Sequence, residues 1–82
     1  MIMNVIMFGI AQEIFGKPTV EVEIGPPEHS TIGDLKSLLE KGKPALKGIG
    51  SYMIAVNNEY ADDDLVIKAK DEIAVIPPVS GG

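Results

Sequence analysis

The group in this sequence with the clearest chemical use is the carboxylate of Gly82. Gly81 and Gly82 have no side chains, and Pro77-Pro78 holds the preceding segment extended. From Val79 on, the chain reaches about 13 Å at roughly 3.3 Å per residue, so this thin end can enter a narrow channel. A carboxylate is ionised at neutral pH and is a poor electrophile. It must therefore be activated, for instance as an acyl phosphate or acyl adenylate, before a nucleophile can displace the leaving group.

The other reactive side chains indicate neither a catalytic site nor a metal site. The chain has no cysteine and a single histidine, which excludes disulfides, thiolate nucleophiles and paired-histidine metal ligands within one chain. His29 lies in a predicted loop with no matched partner, and we interpret it as a solvated side chain. The run Asp62-Asp63-Asp64 lacks the ligand spacing of a calcium loop and is interpreted as an acidic turn. We expect this chain to bind no metal and no cofactor.

The charge balance and the apolar runs limit the partners. Seven lysines, no arginine and twelve acidic residues give a net charge of −5. Such a surface repels nucleic acid, whose binding depends on cationic contacts, and favours a basic protein partner. No apolar run approaches the roughly 20 residues that span a bilayer, and the N-terminus lacks the basic region of a signal peptide. We expect a cytoplasmic protein that binds neither nucleic acid nor a membrane.

The hydrophobic pattern predicts the elements that position the tail. Strands are predicted over residues 3–8, 19–24, 52–56, 59–61 and 72–76, and helical turns over 10–15 and about 45–47. Asn57-Asn58 predicts a turn between the third and fourth strands. A longer helix begins after a Thr31–Asp34 capping box and ends at Gly42 and Pro44. Its apolar stripe is formed by Ile32, Leu35, Leu38 and Leu39. A chain of 82 residues allows one small domain, and this order predicts an α+β fold whose helix covers one face of a mixed sheet.

Two of the strands carry apolar residues on both faces. Facing the helix we expect Met3, Val5 and Met7 from the first strand and Ile73 and Val75 from the last. If these strands are neighbours at the centre of the sheet, Ile6, Phe8 and Ile76 cluster on the face that no helix covers. An exposed apolar cluster is typical of a partner surface, whereas scattered single apolar residues are ordinary on any protein.

Three segments resemble the MoaD-type small subunit of molybdopterin synthase. The ending 71–82, with the sequence DEIAVIPPVSGG, closely resembles the ending of that family. Ala55-Val56-Asn57 resembles its third-strand motif, and Phe8 with residues 11–16 resembles its first strand and short helix. The chain departs from the family in having Ala69-Lys70 where Asp-Gly is frequent, and in having Gln12-Glu13 in a region that commonly carries an arginine.

The resemblance implies a ubiquitin-like β-grasp domain over residues 1–76 and an extended tail over 77–82. It implies that a MoeB-type, ubiquitin-activating-type enzyme adenylates Gly82 with ATP and that the product becomes a thiocarboxylate. The tail would enter the MoaE-type large catalytic subunit, in a heterotetramer, and supply the sulfur of the molybdopterin dithiolene. The chain would then be a sulfur carrier rather than an enzyme. The residues implied in tail insertion are Pro77, Pro78, Val79, Ser80 and Gly81, and those implied in docking are Phe8, Tyr60 and Ile76.

Three alternatives remain open from the sequence. A ThiS-like sulfur carrier for thiamine thiazole synthesis shares the fold and the Gly-Gly, but such chains usually lack Pro-Pro-Val before the last residues. A ubiquitin-like protein modifier would instead form isopeptide bonds with lysines. A plain binding module would carry Gly81-Gly82 with no chemical role.

Overall fold

The computed structural model describes residues 1–78, and the predicted tail positions Val79, Ser80, Gly81 and Gly82 lie outside that range. The strands are β1 (Ile2–Met7), β2 (Thr19–Glu23), β3 (Met53–Val56), β4 (Glu59–Ala61) and β5 (Ile73–Ile76). The α-helices are α1 (Gly9–Phe15) and α2 (Ile32–Gly42), and a 3₁₀ helix spans Pro44–Ile49. Every predicted strand and helix is present, with ends that differ by a residue or two.

The strands form one mixed sheet in the order β2-β1-β5-β3-β4. β1 and β5 are parallel and adjacent, while the other neighbouring pairs are antiparallel. The prediction that the first and last strands are central neighbours is therefore confirmed. The long α2 packs on one face of this sheet, which confirms the α+β class, and no helix formed by residues 1–78 covers the opposite face.

The core lies between α2 and the inward side of the sheet. Its members from β1 and β5 are the five predicted residues, Met3, Val5, Met7, Ile73 and Val75, each no more than 2% exposed. From α2 they meet Ile32, Leu35 and Leu39, which are also buried. Leu38 departs from the prediction, because it is 41% exposed. At about 100° per residue, Leu38 lies at the margin of the stripe that the other three form, on the side toward the sheet edge.

Local signals set the ends of α2. The Thr31 Oγ1 accepts from the Asp34 N–H at 3.3 Å, and the Asp34 Oδ2 accepts from the Thr31 N–H at 3.0 Å, so the predicted capping box is confirmed. After Gly42 the chain turns into the 3₁₀ helix, which is longer than the turn predicted near residues 45–47. Pro44 suits the first position of this helix because it has no N–H to leave unpaired, and Leu46 anchors it by being fully buried.

Tyr52 links the start of β3 to α2. Its hydroxyl donates to the Glu40 carboxylate, and the Lys36 ammonium lies 5.5 Å from the centre of its ring. Burial, followed by the hydrogen bond to Glu40 and the nearby negative charges, raises the pKa of the Tyr52 hydroxyl well above its ordinary value. The folded chain therefore keeps this proton at a pH at which the unfolded chain has begun to lose it.

We expect this link to weaken in alkali. Because the pKa of the Tyr52 hydroxyl is raised in the folded chain, its contribution to the free energy of unfolding is fully present below the unfolded pKa near 10. That contribution is lost as the pH rises from there toward the folded pKa. The free energy of unfolding should fall from about pH 10 upward, and Tyr52→Phe should remove part of that slope. Urea denaturation across this range measures it, with Tyr60→Phe on the exposed β4 as the matched control. Equal slopes for Tyr52→Phe and the unaltered chain would contradict the assignment.

Candidate functional site

The sheet face opposite α2 contains a depression of about 340 Å³. Its floor is made of small side chains, because Ala55 of β3 lies directly beside Ala74 of β5. Larger side chains surround this floor: Phe8, Tyr60 and Ile76 on the apolar side, and Asn58 and Glu72 on the polar side. Two alanines between larger neighbours therefore make a concave, largely apolar surface on this face of the sheet.

The structure brings the three predicted docking residues together around this depression. Phe8 follows β1 directly, and its N–H donates to the Val75 carbonyl at 3.2 Å, so its backbone is tied to β5. Tyr60 lies opposite Ala55 across the β3–β4 pair. Phe8 and Tyr60 are 49% and 67% exposed, whereas Ile76 is half-buried. Of the cluster expected from alternation, Phe8 and Ile76 line the depression, while Ile6 lies on the same face beside Ala74 but outside the lining. The docking role of Phe8, Tyr60 and Ile76 stays a prediction.

Sequence reasoning missed the floor of the depression and one neighbour of it. Met53 pairs with Ile76 and is 46% exposed on the same face, so it extends the apolar surface beyond the predicted residues. The signal was available in the alternation of β3, where Ile54 and Val56 face the core and Met53 and Ala55 face away. The alternation alone does not show that Met53 and Ala55 join the depression, because that follows only from the pairing of β3 with β5.

The polar side of the depression carries one negative charge held in a fixed loop. The Glu72 N–H donates to the Asn57 Oδ1 at 2.9 Å, and the Asn57 Nδ2 donates to Asp71 at 3.0 Å. Asn57 and Asn58 both adopt positive φ, as the predicted turn requires. A partner that fills the depression would therefore place apolar atoms over the alanines and a donor or a cation near Glu72.

The tail leaves the sheet beside the same depression. β5 ends at Ile76, and Pro77 then packs against Gly9 at the start of α1. A Cβ placed on Gly9 would lie 3.1 Å from the Pro77 Cγ, and Gly9 has a φ of +52°, so both the space and the backbone favour glycine here. Pro77 is thus set by a close contact with α1. The predicted insertion residues beyond Pro78 lie outside the described residues.

The remaining candidates stay apart from this face. His29 is exposed in the loop before α2, as predicted. Asp63 accepts from the Lys36 ammonium at 2.6 Å, within the predicted acidic turn. Across residues 1–78, no cluster of three or more His, Asp or Glu side chains is arranged to hold a metal ion. Over the same residues, no helix has the length and apolar character needed to cross a membrane.

The chain matches known proteins over nearly its whole length. The model of the ThiS family matches residues 5–82. The molybdopterin synthase sulfur carrier subunit of Dictyostelium discoideum is 36% identical over 96% of this chain and 94% of its own. SAMP1 from Haloferax volcanii, a small archaeal modifier protein, superposes with a TM-score of 0.83 at 30% identity over 100% of both chains.

A further solved structure shares the fold. A chain of the complex of subunits 1 and 2 of molybdopterin-converting factor from Helicobacter pylori superposes with a TM-score of 0.68 at 24% identity over 100% of both chains. The family match includes the Gly-Gly ending. The chain therefore belongs to the ThiS family and has the ubiquitin-like β-grasp fold that the family resemblance implied, within the α+β class that its strand pattern predicted.

Proposed function

We propose that this chain is the sulfur-carrier subunit of a molybdopterin synthase, with sulfur held on the carboxyl carbon of Gly82. The observation that carries this proposal is the full-length similarity to curated sulfur carrier subunits of that synthase. The family match runs through residue 82, which includes the proposed site of the chemistry. The apolar depression beside the tail exit supports it, because a carrier must dock before its tail can react.

The proposed chemistry uses one functional group of this chain. The Gly82 carboxylate attacks the α-phosphorus of ATP on an activating enzyme of the MoeB type, which forms an acyl adenylate and releases pyrophosphate. A sulfur nucleophile then displaces AMP and leaves a thiocarboxylate. Transfer of that sulfur to the pterin precursor, with water supplying the replacing oxygen, returns the carboxylate. We infer that this chain binds no cofactor and contributes no catalytic side chain, since activation and transfer occur on its partners.

The docking surface and the tail act together in this proposal. Phe8, Tyr60 and Ile76 would contact the large, MoaE-type catalytic subunit in a heterotetramer, while residues 77–82 enter its channel. The activating enzyme needs the same tail, so the two partners would bind in turn. The cytoplasmic location and the lack of nucleic-acid binding stay predictions from the sequence.

A protein-modifier role is the second candidate, because SAMP1 is similar in structure. In that role a lysine ε-amino group would attack the activated Gly82 carboxyl and form an isopeptide bond. Neither this role nor a thiamine-type carrier role is favoured over the synthase role by the curated relatives.

The intact mass of the protein purified from its own cells tests the proposal. We expect a species whose mass has changed by the exchange of one oxygen for sulfur, confined to the C-terminal residue. The purified species should restore dithiolene formation when it is added to the large subunit. Lysine-linked conjugates without any thiocarboxylate would instead support the modifier.

The contact between Gly9 and Pro77 makes a separate prediction. Gly9→Ala should slow sulfur transfer, because the new Cβ displaces Pro77 and redirects the tail. Gly16→Ala is the matched control, since Gly16 also has positive φ but no atom near its Cβ position. Both variants should lose about 1–2 kcal/mol of folding stability from the strained backbone. Equal transfer rates in the two variants, measured with saturating partner, would show that Gly9 does not position the tail.

A further inference from the structure

The outer edge of β2 presents backbone groups that nothing in residues 1–78 pairs. The Met7 N–H donates to the Pro18 carbonyl at 2.7 Å, and the Ile24 N–H donates to the Met1 carbonyl at 2.8 Å. Because such pairs alternate along antiparallel strands, Val20 and Val22 also bond toward β1. The N–H and carbonyl groups of the alternate residues in β2 point outward instead. Those residues are Thr19, Glu21 and Glu23.

An apolar groove of about 310 Å³ lies beside this edge, between β2 and α2. Val20 and Val22 line it from the strand, because they share the inward face with their partners in β1. Leu38 lines it from the helix, and its exposure there is the departure from the predicted stripe. Phe15 closes one side. The charged residues of the lining are Lys43 from the end of α2 and Glu21 and Glu23 from β2, which border the groove at the strand while the register directs their side chains to the other face. The helix therefore covers the centre of the sheet and leaves the edge strand half open.

We propose that this edge and groove form a second docking site, for an extended protein segment in which apolar and basic residues alternate. A strand that pairs with β2 would place every second side chain in the groove, against Val20, Val22 and Leu38. Its other side chains would lie on the opposite face, where Glu21 and Glu23 project. The apolar lining from Val20, Val22 and Leu38 suits apolar side chains, whereas the carboxylates of Glu21 and Glu23 suit basic side chains on the other face.

Charge also argues against a second copy of this chain as the occupant. Pairing of β2 with another β2 would set Glu21 and Glu23 beside the same carboxylates of the second copy. Like charges across a strand pair are destabilising, and each chain carries a net charge of −5. The other edge strand, β4, has three residues and offers a shorter ladder.

This site is distinct from the docking surface proposed for sulfur transfer. β2 is one edge of the sheet, while the depression lies over β5, β3 and β4 on the face away from α2. A segment on β2 would leave the tail exit at Pro77 free. We infer that this chain can hold a basic segment while its tail is engaged elsewhere, whatever chemistry the tail performs.

Titration of the full chain with capped peptides tests the proposal by NMR. The probe is Lys-Val-Lys-Val-Lys-Val, and the controls are Glu-Val-Glu-Val-Glu-Val and the block sequence Lys-Lys-Lys-Val-Val-Val. We expect the alternating basic peptide to bind about tenfold tighter than either control, since only it matches both faces. Chemical-shift changes should appear for residues of β2 and for Leu38, and not for Tyr60. Equal binding of the three peptides, or shifts centred on the depression, would overturn the proposal.

Two variants with matched controls distinguish specific binding in the groove from non-specific electrostatic attraction of a basic peptide to an acidic protein. Leu38→Asp should weaken binding about tenfold, whereas Leu65→Asp, at an equally exposed leucine outside the groove, should not. Glu21→Lys should weaken it more than Glu59→Lys, because Glu59 lies on the far edge strand. Unchanged affinity in both test variants would rule out the site. Concentration-dependent shifts in β2 without any peptide would identify a second copy as the occupant and would also overturn it.

Discussion

A chain lengthened by one residue after Gly82 is expected to transfer no sulfur while it folds normally. The added residue moves the reacting carboxyl by about 3.3 Å, and a displacement near 1 Å already costs about a hundredfold in rate. Deletion of Gly82 should also abolish sulfur transfer, because it withdraws the reacting carboxyl by a similar distance. The Gly9–Pro77 contact fixes the position of Pro77, where the tail begins. The tail therefore cannot correct the changed length by shifting at Pro77.

Single-turnover transfer assays with the large subunit measure this effect, and thermal unfolding checks the fold. Ser80→Gly is the length-matched control, because it changes the tail without moving the carboxyl. It should keep most of the transfer rate. Substantial transfer by the lengthened chain would show that tail length does not position the reacting carbon, and the proposed mechanism would have to be abandoned.

Replacement of the aromatic residues around the depression should weaken partner binding far more than folding. Phe8→Ala and Tyr60→Ala remove side chains that are 49% and 67% exposed, so each should cost less than about 1 kcal/mol in stability. An aromatic anchor at an interface costs about 2 kcal/mol or more when truncated, which corresponds to roughly 30-fold in Kd. Partner titration and urea denaturation on the same variants separate the two effects.

Ile10→Ala provides the control for this comparison. Ile10 is 47% exposed, close to the 49% of Phe8, but it does not line the depression. We expect its Kd to stay within about twofold of the unaltered chain, as for ordinary surface changes. A large loss of folding stability in Phe8→Ala, or equal losses of binding in Phe8→Ala and Ile10→Ala, would remove the docking role from this face.

Local patterns were sufficient for the elements and for the two faces of the central strands. Alternation in β1 and β5 predicted which residues are buried, and that burial is confirmed at Met3, Val5 and Val75. The capping box was readable because Thr31 and Asp34 are three residues apart and act within one turn. The same is true of the Asn57-Asn58 turn. Such signals depend on neighbours in sequence, so one chain contains them completely.

Tyr60 entered the docking prediction through family resemblance alone. A short exposed strand of three residues has too few positions for alternation to show which side chain faces a partner. The pairing of Tyr60 with Ala55, and of Ala55 with Ala74, places it at the depression. The family pattern thus carried information about strand pairing that periodicity in this chain does not contain.

The features that depend on long-range pairing were beyond local reasoning. The floor of the depression exists because β3 and β5 align two alanines, and a shift of β3 by one residue in register would place Ile54 or Val56 beside Ala74 instead of Ala55. The contact of Gly9 with Pro77 joins the two ends of the chain through the parallel β1–β5 pair. Leu38 is exposed because it lies at the margin of the apolar stripe of α2, where the groove beside β2 stays open. Residue types and spacing therefore specified the strands, the helix and the tail, while the packing of distant segments created the surfaces on which partners would bind.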